Sequence, residues 1–423
     1  MAQLTDDCFA FSGPLLPIEE MERLIEQRVA AVGETEMVTL TDARARVIAQ
    51  NVVAPVSLPP FDNSAVDGYA VRHADLNAAG ETALKVVSRV MAGSSGSAPV
   101  AERQAVRIFT GAPMPSGADT VFMQEDVQVD GDTVTVPQGL DIGANRRFAG
   151  EDIRAGSVAL PAGRILDVQH IALASALGLT QVPVRRRIRV AVFSTGDELV
   201  EPGGPLSGGK IYDANRALLR EMLIRTGCTV SDLGILRDDK ASLTAAFRLA
   251  ATRYDVVLSS GGVSTGEADH VRQAVEAIGT LVFWRVAIKP GRPVAMGVIR
   301  GGSGSDAAFV GLPGNPVAAF VTFARVVRPL ILRMAGALPQ RFMPLPVISA
   351  FDYKKKKGRR EYVRVSLRQI ADGNYEAVKH PQDGAGILSS LTETDGLIEV
   401  PDDVTHVAPG MWVGFLSYAS LIG

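Results

Sequence analysis

The chain has 423 residues, 47% hydrophobic and 21% charged, enough for several packed cores and an expected two to four domains. With 43 Lys+Arg against 46 Asp+Glu the formal charge is −3, so neither a basic nucleic-acid surface nor an acidic tail dominates. Two distant cysteines, Cys8 and Cys228, argue against a disulfide framework or structural zinc and for a reduced, cytoplasmic protein, and neither a secretory leader nor an apolar run of bilayer length is found.

In chain order, Ile18 to Val32 reads as a helix between Pro17 and Gly33, and a second periodic stretch near Asp42 to Gln50 reads as another. From Pro55 to Asn145 short β-rich runs alternate with Gly, Pro and Asp: Leu84 to Val90, Ala105 to Phe109, Thr120 to Met123 and Thr133 to Val136. This predicts a small inserted β-module. A helix is expected over Val168 to Leu177, and Arg185-Arg186-Arg187 reads as a solvated domain boundary.

Strands and helices then alternate. Val190 to Phe193, Val230 to Leu236, Asp255 to Ser259, Leu281 to Ile288, Val294 to Ile299 and Phe309 to Leu312 read as strands. Ala217 to Arg225, Leu243 to Arg253, a segment from Asp269, and Val317 to Met334 read as helices. Apolar strands with helix-length connections predict a doubly wound, mostly parallel sheet. After Gly336 the chain turns β-rich again, with Pro346 to Phe351, Tyr362 to Leu367, Leu397 to Val400 and Trp412 to Phe415 as strands of a C-terminal β-domain. The fold class is thus multidomain α/β. The expected division is 1–54 with 149–187, 55–148, 188–335 and 336–423.

Three turns should meet at the carboxyl ends of the central strands, where open α/β sheets take their ligands. They are Ser194-Thr195-Gly196-Asp197-Glu198, the loop Ser259 to Asp269, and Leu312-Pro313-Gly314-Asn315-Pro316. In the second, Ser260, Gly261, Gly262, Ser264 and Gly266 offer hydroxyls and closely approaching N–H groups to a phosphate, and an acid beyond them can hold a divalent cation. Asp269 can equally be a helix N-cap, Pro316 a first-turn proline, and Asp238-Asp239 a cap for the helix at Leu243.

The motifs resemble those of the MoeA-type molybdopterin molybdenumtransferases, which include the C-terminal domain of gephyrin. The resemblance runs through nearly the whole chain. It is carried by Pro60-Phe61-Asp62-Asn63-Ser64-Ala65-Val66-Asp67-Gly68-Tyr69-Ala70, Thr110 to Pro115, Gly150-Glu151-Asp152-Ile153 and Ser194 to Leu199. Ile211 to Arg216, the Ser259 to Asp269 loop, Ala287-Ile288-Lys289-Pro290-Gly291 and Gly311 to Pro316 extend it.

The resemblance implies insertion of molybdate into the dithiolene of adenylylated molybdopterin, with a divalent cation such as Mg2+, releasing AMP and molybdenum cofactor. It places the functional acids at Asp67, Asp152, Glu198, Asp238 and Asp269, beside Thr110, Pro313 and Pro316, with Asp238 and Asp269 on the metal. Gly314 and Asn315 would serve the pterin pyrophosphate, and Lys289, Arg292 and Arg364 the molybdate dianion. It also implies a homodimer in which Asp67 and Thr110 reach the other subunit's crevice, and contacts with other cofactor-biosynthesis proteins or apo-molybdoenzymes. Two other readings are a scaffold or cofactor carrier with a vestigial site, and a molybdopterin adenylyltransferase. Arg285 and Arg292 stand where relatives carry Lys, and Ala385 where many carry Ser, which leaves Ser389 a weak oxyanion contact. Lys354 to Lys357, without interleaved aromatics, reads as a solvated hairpin tip.

Overall fold

Residues 9, 15–95, 98–261, 269–291, 293–302 and 306–422 are described by the computed structural model. They form two compact units: Met1–Gln50 with Ala162–Asp167 and Pro183–Gly423, and Asn51–Pro161 with Val168–Val182. No helix among the described residues is long and apolar enough to cross a membrane.

Helix α1 (Ile18–Arg28) buries Ile18, Met21, Leu24 and Ile25, the i, i+3, i+4 spacing of one apolar face. It ends four residues before the expected Val32, because Val29 turns extended (φ −96°, ψ 119°) while its N–H closes the last turn on Ile25. The helix expected over Asp42 to Gln50 does not form. Ala45 adopts φ +58°, and Val47 and Ile48 instead bridge Ile165 and Val184. Tertiary pairing outweighs a weak local periodicity here.

The second unit is built on six strands: β1 (Gly68–Val71), β2 (Thr82–Val90), β3 (Gln104–Ile108), β4 (Thr120–Met123), β5 (Gln128–Asp130) and β6 (Thr133–Val136). Their order is β4-β1-β3-β2-β6-β5. Along β1, Ala70 enters one apolar cluster while Tyr69 and Val71 enter another, the period of two that a sheet dictates. Gly68 is required by close approach, since a Cβ there would lie 1.8 Å from the Phe122 carbonyl oxygen. Helix α2 (Val168–Ala176) belongs to the same unit.

The first unit contains the expected sheet. Its strands are β7 (Arg189–Thr195), β8 (Thr229–Leu236), β9 (Val256–Ser260), β10 (Gly279–Arg285), β11 (Pro293–Arg300) and β12 (Asp306–Leu312), ordered β8-β7-β9-β12-β11-β10. The first four in that order are parallel, and β11 and β10 continue antiparallel. Helices cover both faces. Val190 and Val192 join Leu219, Met222 and Leu223 of α3 (Asn215–Arg225), whereas Ala191 and Phe193 join Leu243 and Phe247 of α4 (Lys240–Ala251) and Val271 and Val275 of α5 (His270–Glu276). Phe247 stacks between Phe193 and Phe309 with centroids 5.1 and 5.4 Å away, and burying such a side chain contributes about 1.5–3 kcal/mol.

The apolar run expected as one strand over Leu281 to Ile288 is two. It breaks after Arg285, and Ile288–Lys289 pairs in parallel with Arg360–Glu361 of the C-terminal domain. There β13 (Leu345–Ser349), β14 (Arg360–Gln369), β15 (Tyr375–Lys379), β16 (Gly396–Val400) and β17 (Trp412–Ser417) close a ring: β14 pairs with β15 and β16, β15 with β13, β13 with β17, and β17 with β16. Closure removes the sheet's edges. Strand β15 is absent from the sequence reading because only Ala377 points fully inward in a segment otherwise carrying Tyr375, Glu376 and Lys379.

Candidate active site

The sheet order places a topological switch between β7 and β9, because the chain leaves β7 for β8 on one side and returns to β9 on the other. Ser194, Ser260 and Leu312 stand side by side at the strand ends. Beyond them Gly261 adopts φ +78° and donates its N–H to Leu312 O at 3.1 Å. A Cβ on Gly261 would lie 3.6 Å from Thr195 O, and one on Gly314 would lie 3.9 Å from the Gly261 Cα. The three turns therefore converge with bare backbone facing backbone, a cradle that side chains would fill. Oγ of Ser194 and Oγ1 of Thr195 are buried there without a hydrogen-bond partner among the described residues. Buried hydroxyls are normally satisfied, so these two are free to bond to a group beyond the described residues. Of the expected phosphate loop, Gly262, Ser264 and Gly266 lie outside the described residues, as does Arg292.

The third turn is fixed from two sides. Asn215 Nδ2 donates to Gly314 O at 2.6 Å, and Val317 N–H donates to Ala385 O at 3.0 Å. Asn315 takes the N-cap position and Pro316 the first turn of α6 (Pro316–Thr322). Asn215 is absent from the expected site residues, although it stands in the Ile211 to Arg216 motif. Its neighbour Arg216 explains much of that motif: Nε reaches Asp213 at 2.9 Å, Nη1 reaches Asp232 at 2.5 Å, and Nη2 reaches Glu201.

Around this crevice the acids separate by duty. Asp239 caps α4 by accepting the Ser242 N–H at 2.9 Å, so Asp238 has no cap role. Asp269 caps α5, its Oδ1 accepting the Arg272 N–H at 2.9 Å, and is 8% exposed. Asp238 is brought to it through the next residue: Nδ1 of His270 lies 2.8 Å from the Asp238 carbonyl oxygen and 3.4 Å from its Oδ1. The sequence reading missed His270, a lone histidine with no motif of its own. Glu198 is exposed, and its carboxylate folds back over Gly196 (φ +148°), where a Cβ would lie 2.5 Å from Oε2.

Cations lie on the side of the closed barrel. The strand pairing holds Lys289 with Nζ 3.3 Å from Oε2 of Glu361. Burial alone would raise the Glu361 carboxyl, but hydrogen bonds from Tyr353 and Arg359 outweigh it and keep the group below the ordinary value. Buried Arg364 donates through Nη1 to Gly384 O (2.9 Å) and Ser390 Oγ (2.7 Å), and through Nη2 to Gln382 O (2.9 Å). It thus shapes the 382–390 segment, and its serine contact is Ser390, not Ser389. Lys289 and Arg364 line one cavity of 180 Å³ with Val317, Lys379, His380 and Ala385.

In the other unit, Asp67 and Thr110 form a pair. Oδ1 of Asp67 accepts the Thr110 N–H at 2.8 Å and its hydroxyl at 2.7 Å. These two bonds, backbone first, with Arg107 adding to them, hold the carboxyl below its usual value. Thr110→Val removes only the hydroxyl, so the Asp67 pKa is expected to rise toward 3.8 without reaching it, read from the carboxyl carbon shift in an NMR titration. Asp152 is exposed, its N–H donating to Leu58 O at 3.1 Å, and its carboxylate makes no hydrogen bond or ion pair among the described residues. Cys228 is buried, which pushes its thiol up to about 12 and leaves it unreactive; Cys8 lies outside the described residues.

Among the described residues no three acids, histidines or cysteines gather as a closed metal cage. The carboxylates of Asp238 and Asp269, linked through His270, suit a hard cation that keeps water and substrate phosphate in its shell, the habit of Mg2+.

The chain matches known proteins along most of its length. Residues 16–178 match the family described as the MoeA N-terminal region (domain I and II), 191–333 a probable molybdopterin binding domain, and 346–418 the MoeA C-terminal region (domain IV). A protein of Haemophilus influenzae named molybdopterin molybdenumtransferase is 36% identical over 411 residues, covering 97% of this chain and 100% of that one. One of the same name from Nostoc is 37% identical over 384 residues, 89% of this chain and 87% of that one. A molybdopterin biosynthesis MoeA protein from Pyrococcus horikoshii has a crystal structure that superposes with TM-score 0.77 at 30% identity, covering 95% of this chain and 99% of that one.

Proposed function

Because this chain belongs to the MoeA-type molybdopterin molybdenumtransferases, we propose that it inserts molybdate into the dithiolene of adenylylated molybdopterin, with release of AMP and molybdenum cofactor. The observation that carries the reading is the cradle of Thr195, Gly261 and Gly314 at the switch point, with two buried hydroxyls that no described residue engages. Backbone N–H groups and hydroxyls there would take the pyrophosphate of the substrate. Lys289 and Arg364 would face molybdate in the barrel-side cavity. Asp238 and Asp269 would hold a divalent cation, which when bound neutralises charge on the phosphoanhydride. Glu198 and Asp152 complete the acids we assign to the reaction. Water attacks the anhydride, displacing AMP and releasing two protons, and the two dithiolene sulfurs replace two oxygens of molybdate, which leave as two waters carrying the two thiol protons and those two. Positioning and charge neutralisation suffice, so no covalent nucleophile is invoked.

We further propose a cytoplasmic homodimer in which Asp67 and Thr110 serve the partner's crevice, with the chain divided as 1–54 plus 149–187, 55–148, 188–335 and 336–423. The motivation is that two chemically matched site residues belong to a unit without the central sheet. Purified protein given adenylylated molybdopterin, magnesium and molybdate should release AMP in a molybdate-dependent way and retain molybdenum. No release from folded, ligand-binding protein would overturn the transferase reading. For the shared site, Asp67→Ala and Asp269→Ala chains, each inactive alone, should recover activity when mixed; no recovery from verified mixed dimers would place each site within one chain.

A further inference from the structure

The helix that follows Pro316 carries a feature the transfer reaction leaves unused. Between α6 and α7 (Arg328–Met334), residues Phe323–Val327 make a π-turn in which the Arg328 N–H donates to Phe323 O. Pro329 causes it, having no N–H for an ordinary helical bond. The turn sets Arg325 and Arg328 on one ring: their Cζ atoms lie 4.7 and 5.5 Å from the centroid of Phe342.

Neither arginine is fully compensated. Arg325 is 5% exposed; its Nη2 lies 3.3 Å from Oε1 of Glu22 and 4.0 Å from Glu399, while its buried Nε has no acceptor among the described residues. Glu399 is otherwise engaged, accepting the Tyr362 hydroxyl at 2.9 Å and lying 3.5 Å from Arg360 Nη1. Arg328 is partly buried and makes no hydrogen bond or ion pair among the described residues. Burial first, and then the like charge of Arg325, weaken its hold on the proton. A desolvated guanidinium without a counter-charge is unfavourable unless an anion comes from outside, and its planar fork suits an oxyanion.

We propose that this niche binds a small oxyanion of carboxylate or phosphate class, with Arg328 and the Nε of Arg325 as donors and Phe342 as its wall. Glu22 of α1 bounds it on the side of the Arg325 Nη2. The proposal is independent of the transferase reading, since none of these residues belongs to the crevice or the barrel-side cavity.

Calorimetric titration with inorganic phosphate, sulfate and acetate, against sodium chloride of equal ionic strength, tests it. Arg328→Met and Arg328→Gln keep a stem against Phe342 and remove the fork. At least one of the three anions should bind to the parent, and each variant should weaken it by about tenfold, the worth of one charge-assisted bond. An Arg364→Met chain should retain the effect, and AMP release by Arg328→Met should be unchanged. Acetate binding without phosphate assigns carboxylates, and the reverse assigns tetrahedral dianions. Should the variants fold poorly, the Nε–H resonances of Arg325 and Arg328 in the parent should shift on saturation. Superimposable titrations of parent and variants, or unshifted resonances, would overturn the proposal.

Discussion

An Asp269→Asn chain is expected to lose AMP release by about 10²- to 10³-fold while melting at the same temperature as the parent. The cap it makes and the metal ligation proposed for it meet on this carboxylate, and the substitution separates them. Asparagine is as good an N-cap as aspartate, so the bond to the Arg272 N–H is retained. What disappears is the negative charge, and loss of a ligand to a catalytic cation forfeits several kcal/mol of transition-state stabilisation. Asp269→Ala loses both. Removing the cap costs about 1 kcal/mol, which lowers the melting temperature of a domain of this size by roughly 2–4 °C. Paired assays of AMP release and thermal unfolding separate the two variants. Release by Asp269→Asn within twofold of the parent would leave Asp269 a cap and nothing more.

Arg216→Met is expected to be the most damaging single change to stability, by about 3–5 kcal/mol. The side chains of Arg216 and Asp213 are 9% and 2% exposed, so the substitution leaves a buried carboxylate with its charge partner gone. Glu201 and Asp232, more exposed, are released toward solvent. The damage should also reach function, because Asn215, the preceding residue, anchors the Gly314 carbonyl. Urea unfolding should show a lowered midpoint, and the surviving folded fraction should bind substrate more weakly. Unchanged unfolding would mean the three remaining carboxylates relax into water without cost. The acid side of the network has a definite sign. Burial would raise the Asp232 carboxyl, but bonds from the Gly234 N–H and Arg216 outweigh it and lower it below 3.8. Its contribution is therefore complete at neutral pH and is lost only as acidification passes through that lowered folded value.

The central sheet was legible because its strands are buried on both faces and read as unbroken apolar runs, with glycine and hydroxyl punctuation marking their carboxyl ends. Elements whose identity depends on a distant partner were not legible. Val47 and Ile48 look helical until Ile165 and Val184 pair with them, and Leu281 to Ile288 looks like one strand because sequence does not say which sheet each half joins. The acids of the crevice were placed by motif resemblance. Physics alone left Asp269 between cap and ligand, and the structure shows the cap directly. The contact of Asp67 with Thr110, 43 residues apart, follows from the antiparallel register that sets Gly68 against Ile108, which no local pattern encodes. His270 and Asn215 act through neighbours brought up by the fold, and their spacing carries no signal.

The pairing of Ile288–Lys289 with Arg360–Glu361 makes one ladder out of two domains that the order of elements would separate. Because backbone bonds of the barrel are completed by a segment of the sheet domain, opening one exposes unpaired amides on the other. Slow amide exchange near Lys289 and Glu361 should therefore fade together as denaturant is raised, in a single cooperative unit. A chain truncated after Gly336 would present Ile288 as a bare strand edge and be prone to self-association. The barrel is thus the template on which the lysine-bearing strand is ordered.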